Sequence, residues 1–257
     1  MILAISILLN FIIIIFFYKK KIRKFFLKSK ISEISLSDVD EIFQLEKRSK
    51  NLKGPKTEAI IKSFCINSDN KIVGMTSDYE AWIISALSKK SKNIFEFGTC
   101  SGKTTFLMAL NSSNETKITT LTLDPTLISE LNQFQNDNKI SQRNIFNETI
   151  YDKFLFSNQP EENKIKVLFQ NSLFFETTNF IKKMDLIFID GGHTYSVVKN
   201  DTEKAFEMIK NNGVILWHDY TPGKTSSYDV VRYLNKIAKK IKIFKIKNTS
   251  LCFYRKK

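Results

Sequence analysis

The chain has 257 residues, enough for one α/β domain with appendages and too few for two large domains. Its formal net charge is +14 at pH 7, but the lysine excess accompanies many Ile, Asn and Phe residues, which indicates a general compositional bias. We therefore expect no nucleic-acid partner. The cysteines Cys65, Cys100 and Cys252 form no CxxC pair, which excludes a disulfide framework and a zinc knuckle and fits a reducing compartment.

The N-terminus carries an uncharged apolar run over residues 2–18, followed at once by the basic run 19–24. A membrane core needs roughly 17–25 apolar residues, and a basic flank stays on the cytoplasmic side. The pattern predicts a single-pass transmembrane helix over residues 1–18, with membrane lipid as its partner and the following domain in the cytoplasm. A cleaved secretory signal would carry its positive charge before the apolar run. A buried core helix would show an amphipathic face, which this run lacks.

Residues 19–73 form a basic, polar linker between this helix and a domain that we place at residues 74–257. Apolar residues on a rough helical period predict short helices over residues 38–50 and 57–64. Phenylalanines lie among cations in residues 19–30, a pattern that suits an anionic lipid surface and equally a solvated juxtamembrane helix.

Strand and helix patterns alternate along most of the domain. The predicted strands cover residues 93–97, 118–123, 166–169, 185–189 and 213–217. The predicted helices cover residues 78–87, 103–110, 197–210 and 228–240. This alternation is typical of an α/β fold with a doubly wound, mostly parallel sheet. The tail differs, because two strand-like runs at 241–246 and 251–254 predict a C-terminal antiparallel hairpin.

Ligands of doubly wound sheets bind beyond the carboxyl ends of the strands. The first strand leads into Gly98-Thr99-Cys100-Ser101-Gly102, whose glycines allow a tight turn and a close approach to a ligand at the start of a helix. By pattern alone, several kinds of nucleotide loop fit. A phosphate-binding P-loop needs four residues between its glycines, whereas three lie between Gly98 and Gly102. A GxGxxG dinucleotide fingerprint is absent as well.

Two carboxylates lie close to these loops in the sequence. Glu96 precedes Gly98, and Asp124 follows the second predicted strand, where a carboxylate can accept hydrogen bonds from a pair of hydroxyls. The alternative is that both residues only cap helices or turns.

The chain has two histidines, His193 and His218, and both follow successive predicted strands. Asp190 and Asp219 lie beside them in the sequence. A histidine at a strand end can act as a base or as a metal ligand, because its pKa lies near neutrality. The grouping therefore predicts a reaction site and not two isolated structural histidines.

These motifs resemble a known enzyme family. The segment E-x-G-x-x-x-G at residues 96–102 resembles motif I of class I S-adenosylmethionine-dependent methyltransferases, which have a Rossmann-like fold. The segments D-G-G-H-T-Y at 190–195 and W-H-D-Y at 217–220 are similar to the methyltransferase family grouped with cephalosporin-hydroxylase-like proteins. The resemblance covers residues 72–254. It implies S-adenosylmethionine as cofactor, bound by Glu96, Gly98, Thr99, Gly102, Asp124, Asn171, Ser172 and Asp190.

The site is also similar to that of catechol-type O-methyltransferases. That likeness implies His193 and Asp190 as catalytic residues, with His193 as the base, and a divalent metal on Asp190, His218 and Asp219. A histidine in the metal set favours manganese, iron or zinc over magnesium, and the site also allows no metal at all. The histidine in the metal set is one departure from the family pattern. Another is Gln170-Asn171-Ser172, at a position where the family has a Gly-Asp-Ser type of turn near the adenine.

The resemblance implies methyl transfer to a hydroxyl oxygen of a small-molecule, sugar or lipid-linked acceptor at the membrane. Two alternatives stay open, a P-loop-like nucleotide hydrolase and a catalytically inactive membrane-bound binding module. The sequence leaves open the acceptor and the oligomeric state. It also leaves open whether residues 126–163 form a lid over the acceptor or a surface excursion.

Overall fold

The computed structural model describes most of the C-terminal two thirds of the chain and short pieces before it. The described residues are 10, 12–18, 28–35, 57–62, 65–66, 71–72, 76–124, 126, 149, 151 and 153–257. The predicted helix at 38–50 lies outside this set.

One large sheet organises the described residues. In chain order, the strands are β1 (Ser32–Ile34), β2 (Cys65–Ile66), β3 (Lys71–Ile72), β4 (Asn93–Phe97), β5 (Lys117–Thr122), β6 (Ile165–Phe169), β7 (Met184–Ile189), β8 (Ile209–Trp217), β9 (Phe244–Ile246) and β10 (Cys252–Arg255). The 8-stranded sheet has the order β1-β9-β10-β8-β7-β4-β5-β6, and β2 pairs with β3 in a separate small sheet. Strands β6, β5, β4, β7 and β8 run parallel to one another, whereas β10 is antiparallel to both β8 and β9. The Rossmann-like, mostly parallel sheet and its C-terminal hairpin are therefore confirmed.

Within the described residues 76–257, four α-helices accompany the sheet: α1 (Asp78–Ser88), α2 (Lys103–Asn111), α3 (Tyr195–Met208) and α4 (Tyr228–Ile237). Short 3-10 helices cover Pro160–Lys164 and Ser172–Phe174. Helix α1 begins with a capping box, in which the Ser77 hydroxyl and the Glu80 carboxylate bond to each other's backbone N–H groups. Helix α2 begins at Gly102 in the left-handed conformation, and no described side chain caps its first turn.

Both faces of the sheet are buried, which explains why the central strands appear as continuous apolar runs. Along β4, Phe95 and Phe97 enter one core cluster, whereas Ile94 enters the cluster on the opposite face. The same alternation along β7 places Ile187 and Ile189 with the first cluster. Burial on both faces fixes the register, because a slip of one residue would exchange the two faces.

Strand order reverses between β4 and β7. From β4 the chain continues outward through β5 and β6, and then returns to the other side of β4 with β7 and β8. In parallel register, Phe97 at the end of β4 pairs with Ile189 at the end of β7. The loops after these strands therefore meet at the switch point of the sheet, which is where doubly wound sheets bind their ligands.

The predicted membrane localisation is wrong. Residues 12–18 are helical, but within the described part of the chain no helix is long and apolar enough to cross a membrane. The basic run at residues 19–24 lies outside the described residues.

Two expectations for the linker also need correction. Residues 57–62 are not helical; Ile60 instead exchanges two backbone hydrogen bonds with the Asn111 side chain, at 2.7 and 2.9 Å. Ser32–Ile34 forms strand β1, which pairs in parallel with β9 and extends the main sheet. Part of the predicted linker is therefore built into the folded domain.

Candidate active site

The two histidines and their neighbouring aspartates lie together at the carboxyl ends of β7 and β8. Asp190 directly follows β7, and His218 and Asp219 directly follow β8, so the parallel register brings them side by side. His193 lies in the short loop between Asp190 and α3, and its Nε2 is 2.8 Å from Oδ2 of Asp219. The predicted reaction cluster is thus assembled, and the cleft beside it is lined by Asp190, His193, Trp217, His218 and Val230.

His218 lies beneath this cluster and is 7 % exposed. Its Nδ1 is 3.0 Å from Oδ1 of Asp190 and 3.3 Å from Oδ2 of Asp219. Neither ring nitrogen has the alignment of a regular hydrogen bond to a described residue, so these contacts act mainly through charge. Burial by itself would lower the pKa of His218, but the surrounding carboxylates, Asp190 foremost, raise it well above its ordinary value.

Glu80 of α1 is a member of this cluster that the sequence did not reveal. Its Oε2 lies 3.7 Å from Nε2 of His218, and its Oε1 accepts hydrogen bonds from the backbone and hydroxyl of Ser250 at 2.6 and 2.7 Å. Burial would raise the pKa of Glu80, but His218 and Ser250 outweigh it and hold that pKa below its usual range. The only local signal was the Ser77-x-x-Glu80 capping box, which predicts a helix start and not a partner for His218.

Three residues could hold a metal ion: Asp190, His193 and Asp219. One ligand atom from each lies within 4.8 Å of the others. This set differs from the expected Asp190, His218 and Asp219, because His218 lies deeper, between the two aspartates and Glu80. Carboxylate and imidazole ligands suit manganese, iron or zinc, so a divalent cation fits the chemistry of the donor set.

The loop after β4 presses directly against the loop after β7. Gly98 has φ +96°, and a Cβ added there would lie 2.2 Å from the backbone oxygen of Asp190. Asp190 in turn donates its backbone N–H to the Phe97 carbonyl at 2.9 Å. Only glycine permits this approach. The contact holds the loop after β4, the predicted cofactor loop, against the loop after β7.

The end of the 126–163 segment packs over the loop after β4. A Cβ on Gly102 would meet the Phe156 ring at 2.7 Å, and Leu155 donates its backbone N–H to Ser101 at 3.0 Å. The buried rings of Phe154 and Phe156 therefore pack against the start of α2.

Glu96 lies inside the fold, at 0 % exposure, among threonine hydroxyls. Its carboxylate accepts hydrogen bonds from Thr104 at 2.7 Å, from Thr120 at 2.7 Å and from Thr105. The Thr99 hydroxyl bonds to that of Thr120 at 2.6 Å. Glu96 and Thr99 are thus bonded to α2 and β5 inside the fold, next to the loop at residues 98–102.

Glu96 gives the protein a specific pH dependence. Burial raises its pKa to about 7 from 4.5, although the three hydroxyls oppose the shift. Because the folded chain binds this proton more tightly than the unfolded chain, stability falls as pH rises from about 4.5 to about 7 and levels off above that range. We expect Glu96→Gln to remove the contribution of Glu96 to this slope, worth about 3 kcal/mol. The buried Asp201, whose pKa is raised to about 6, contributes separately and should keep its part of the slope. Urea unfolding of both proteins between about pH 5 and pH 8 checks this, and an unchanged slope in the variant would refute it.

The remaining predicted cofactor residues lie at the ends of β5 and β6. The partly exposed Asp124 accepts hydrogen bonds from the backbone and hydroxyl of Thr126 through Oδ1, at 2.8 and 2.6 Å. Asn171 accepts the Leu173 backbone N–H through its Oδ1 at 3.0 Å, so its Nδ2 is the atom that can donate to a ligand. Ser172 is held by α3, since its carbonyl accepts hydrogen bonds from Asn200 at 3.0 Å and from Lys204.

Lys103 distinguishes the loop from a P-loop. In a P-loop, the lysine reaches the phosphates of the nucleotide. Here the side chain is 7 % exposed, and its Nζ donates to the Thr76 carbonyl at 3.3 Å. Burial lowers the pKa of Lys103, which further weakens it as a phosphate ligand. Lys103 is therefore not placed as the phosphate-binding lysine that the nucleotide-hydrolase alternative requires.

The observations in this structure fit S-adenosylmethionine as ligand. The glycine loop and the uncapped start of α2 offer backbone N–H groups to a carboxylate. The partly exposed Asp124 offers its carboxylate to a ribose diol. Both features lie at the carboxyl edge of neighbouring strands.

Comparison with known proteins supports the same conclusion. Residues 95–220 match a family model described as "Methyltransferase domain", and every predicted site residue falls inside this segment. A comparison with curated proteins gave no match.

Solved structures with a similar fold were found as well. A candidate caffeoyl-CoA O-methyltransferase from Staphylococcus aureus is 18 % identical, covering 72 % of this chain and 86 % of its own, with a TM-score of 0.50. An O-methyltransferase from Bacillus cereus in complex with SAH is 16 % identical, covering 69 % and 79 %, with a TM-score of 0.44. The Staphylococcus aureus structure shows the shared fold. Residues 95–220 therefore belong to the methyltransferase-domain family, and the protein is a class I S-adenosylmethionine-dependent methyltransferase.

Proposed function

We propose that the protein transfers a methyl group to a hydroxyl oxygen of a small-molecule acceptor, with His193 as the base. The observation that carries this proposal is the 2.8 Å contact between His193 Nε2 and Asp219 Oδ2 beside the cleft. An imidazole held by a carboxylate at one nitrogen is oriented to accept a proton at the other. A hydroxyl is a weak methyl acceptor until its proton is removed, so such a base suits this acceptor type.

The cofactor, when bound, supplies an activated methyl group on a sulfonium, which needs no further activation. We assign its binding to Gly98 and Gly102 in the first loop, Asp124 for the ribose hydroxyls and Asn171 through its Nδ2. The contact between Gly98 and Asp190 supports this arrangement, because it holds the donor loop beside the residues that would handle the acceptor. We assign no direct cofactor contact to Glu96, Thr99 and Ser172, which would instead hold these loops in place.

The work left to the protein is to align the acceptor and to remove its proton. Asp219 bonds to His193 Nε2, so His193 would take the acceptor proton at Nδ1. Burial would raise the pKa of Asp219, but His193 and then His218 hold it below its usual range, so Asp219 remains a carboxylate that stabilises the protonated base. Asp190 shares His218 with Asp219 and would orient the acceptor hydroxyl.

A divalent cation would change the role of His193. If one binds, Asp190, His193 and Asp219 would be its ligands, and it would lower the pKa of the acceptor hydroxyl in place of a base. In the described arrangement, the facing oxygens of Asp190 and Asp219 already contact imidazole nitrogens at 2.8–3.3 Å. We therefore expect methyl transfer to survive exhaustive treatment with EDTA. Loss of activity that returns with manganese or magnesium would assign the three residues to a metal instead.

The proposal is tested by supplying radiolabelled S-adenosylmethionine and the purified protein to a cell extract. We expect label to enter a hydroxyl-bearing small molecule. Fractionating the products separates this outcome from labelled sugars and lipid-linked compounds. Normal cofactor binding without transfer to any fraction would favour the catalytically inactive binding module. Binding of ATP without binding of S-adenosylmethionine would favour the nucleotide hydrolase.

The pairing of β1 also bears on the domain boundaries. We propose that the methyltransferase domain comprises residues 74–257 together with the segment around β1, since β1 pairs with β9 in the main sheet.

A further inference from the structure

Asp219 has an unusual backbone conformation. Its φ is +58°, in the left-handed region of the backbone that residues other than glycine rarely adopt. Such a conformation costs free energy, and it persists when neighbouring contacts fix the backbone on both sides. The position matters, because Asp219 Oδ2 contacts both His193 and His218.

The following residue, Tyr220, is fixed at both ends. It is 0 % exposed, and its backbone N–H donates to the Ser250 carbonyl at 2.9 Å. Its hydroxyl lies 2.7 Å from Oδ1 of Asn235 and 3.0 Å from Oγ of Ser29. A rigid side chain bonded at both ends restricts the backbone of the residue that precedes it.

Part of this support comes from the N-terminal segment, outside the matched residues 95–220. Asn235 accepts the Lys30 backbone N–H at 3.0 Å and donates to the Lys28 carbonyl at 3.1 Å. Ile31, which follows, is 6 % exposed and packs in the main core cluster. The segment 28–31 is therefore bound to the residues that surround the Tyr220 hydroxyl.

We propose that Tyr220 is a positioning residue that acts through Asp219. Its hydroxyl, held by Asn235 and Ser29, keeps Asp219 in the left-handed conformation that places Oδ2 against His193. The inference rests on the proposed role of the His193–Asp219 pair. It adds that the segment 28–31 contributes to the reaction site without touching a ligand.

The test uses the fact that the chain has only two histidines, so that imidazole NMR signals of the full-length protein can be assigned directly. We expect Tyr220→Phe, which removes only the hydroxyl, to shift the His193 ring signals towards those of Asp219→Asn. Ser29→Ala removes one of the two hydroxyl partners and should give a smaller shift in the same direction, whereas Ser29→Thr keeps the hydroxyl and should give none. The control is Tyr233→Phe, because Tyr233 is a buried tyrosine of α4 whose hydroxyl bonds to Thr202.

A double variant separates positioning from a general structural effect. If Tyr220 acts through Asp219, Tyr220→Phe has no further effect on His193 in the Asp219→Asn background. The same shift in both backgrounds would overturn the proposal, as would unchanged His193 signals in Tyr220→Phe and Ser29→Ala. If Tyr220→Phe does not fold, the two Ser29 variants carry the test alone. A protein that binds no S-adenosylmethionine would refute the proposed function while leaving this NMR result intact.

Discussion

His193→Ala should lower methyl transfer by roughly 10²- to 10⁴-fold, the range typical of a positioned base. The variant loses the group that would accept the proton from the acceptor hydroxyl, but none of the loops that would hold the cofactor. We therefore expect its affinity for S-adenosylmethionine, measured by calorimetry, to stay unchanged. Turnover is measured with labelled S-adenosylmethionine and a cell extract as the source of acceptor.

The control is Lys199→Ala on helix α3, which follows the His193 loop. The Lys199 side chain is 51 % exposed and pairs only loosely with Glu203, at 3.8 Å, so its loss should not alter turnover. Wild-type turnover by His193→Ala would remove His193 from the role of base. Loss of cofactor binding together with turnover would show instead that the substitution disrupts the loop.

Gly98→Ala adds only one methyl group, but we expect it to destabilise the protein more than any other single methyl addition in the predicted cofactor loop. The new Cβ would lie 2.2 Å from the Asp190 carbonyl oxygen and 2.6 Å from the Gly191 Cα, both backbone atoms. Together with the left-handed backbone, the overlap should destabilise the protein by roughly 2–5 kcal/mol. Because the two loops must separate, binding of S-adenosylmethionine should be lost as well. Urea unfolding and calorimetry measure the two effects.

Gly223→Ala provides the control for Gly98→Ala. Gly223 has nearly the same backbone angle, φ +90°, but a Cβ there would meet nothing within 4 Å. Gly223→Ala should therefore lose only the stability that a left-handed alanine costs, without the additional loss from steric overlap. Its affinity for S-adenosylmethionine should stay unchanged. Equal effects of the two substitutions would mean that the contact between Gly98 and Asp190 has no special importance.

The central fold could be predicted from the sequence because its signals are local. Strands β4 and β7 bury apolar residues on both faces, and they are followed directly by Gly98 and Asp190. The switch point then follows from the parallel connections, which also explains why His193 and Asp219 could be placed together in advance.

The contacts that the sequence did not reveal join residues that lie far apart along the chain. Glu80 reaches Ser250, and Tyr220 reaches Ser29, through hydrogen bonds that no local pattern encodes. Glu96 shows the same limit in another form. Its position before Gly98 indicated a ligand contact, but threonines from α2 and β5 surround its carboxylate.

The apolar N-terminal run is one place where the prediction from sequence and the structure differ. Hydropathy and flanking charge favoured a membrane helix, yet among the described residues no helix has the length and apolarity to span a bilayer. Further along the chain, Ser32–Ile34 forms β1 and pairs with β9 in the main sheet.

The most direct test of the account uses S-adenosylmethionine labelled with ¹³C in its methyl group. The protein is incubated with this donor and a cell extract, and the product is examined by carbon NMR. We predict a new O-methyl signal that depends on the protein and is lost with His193→Ala. A methyl group on nitrogen, carbon or sulfur, or an O-methyl product formed equally well by His193→Ala, would contradict it.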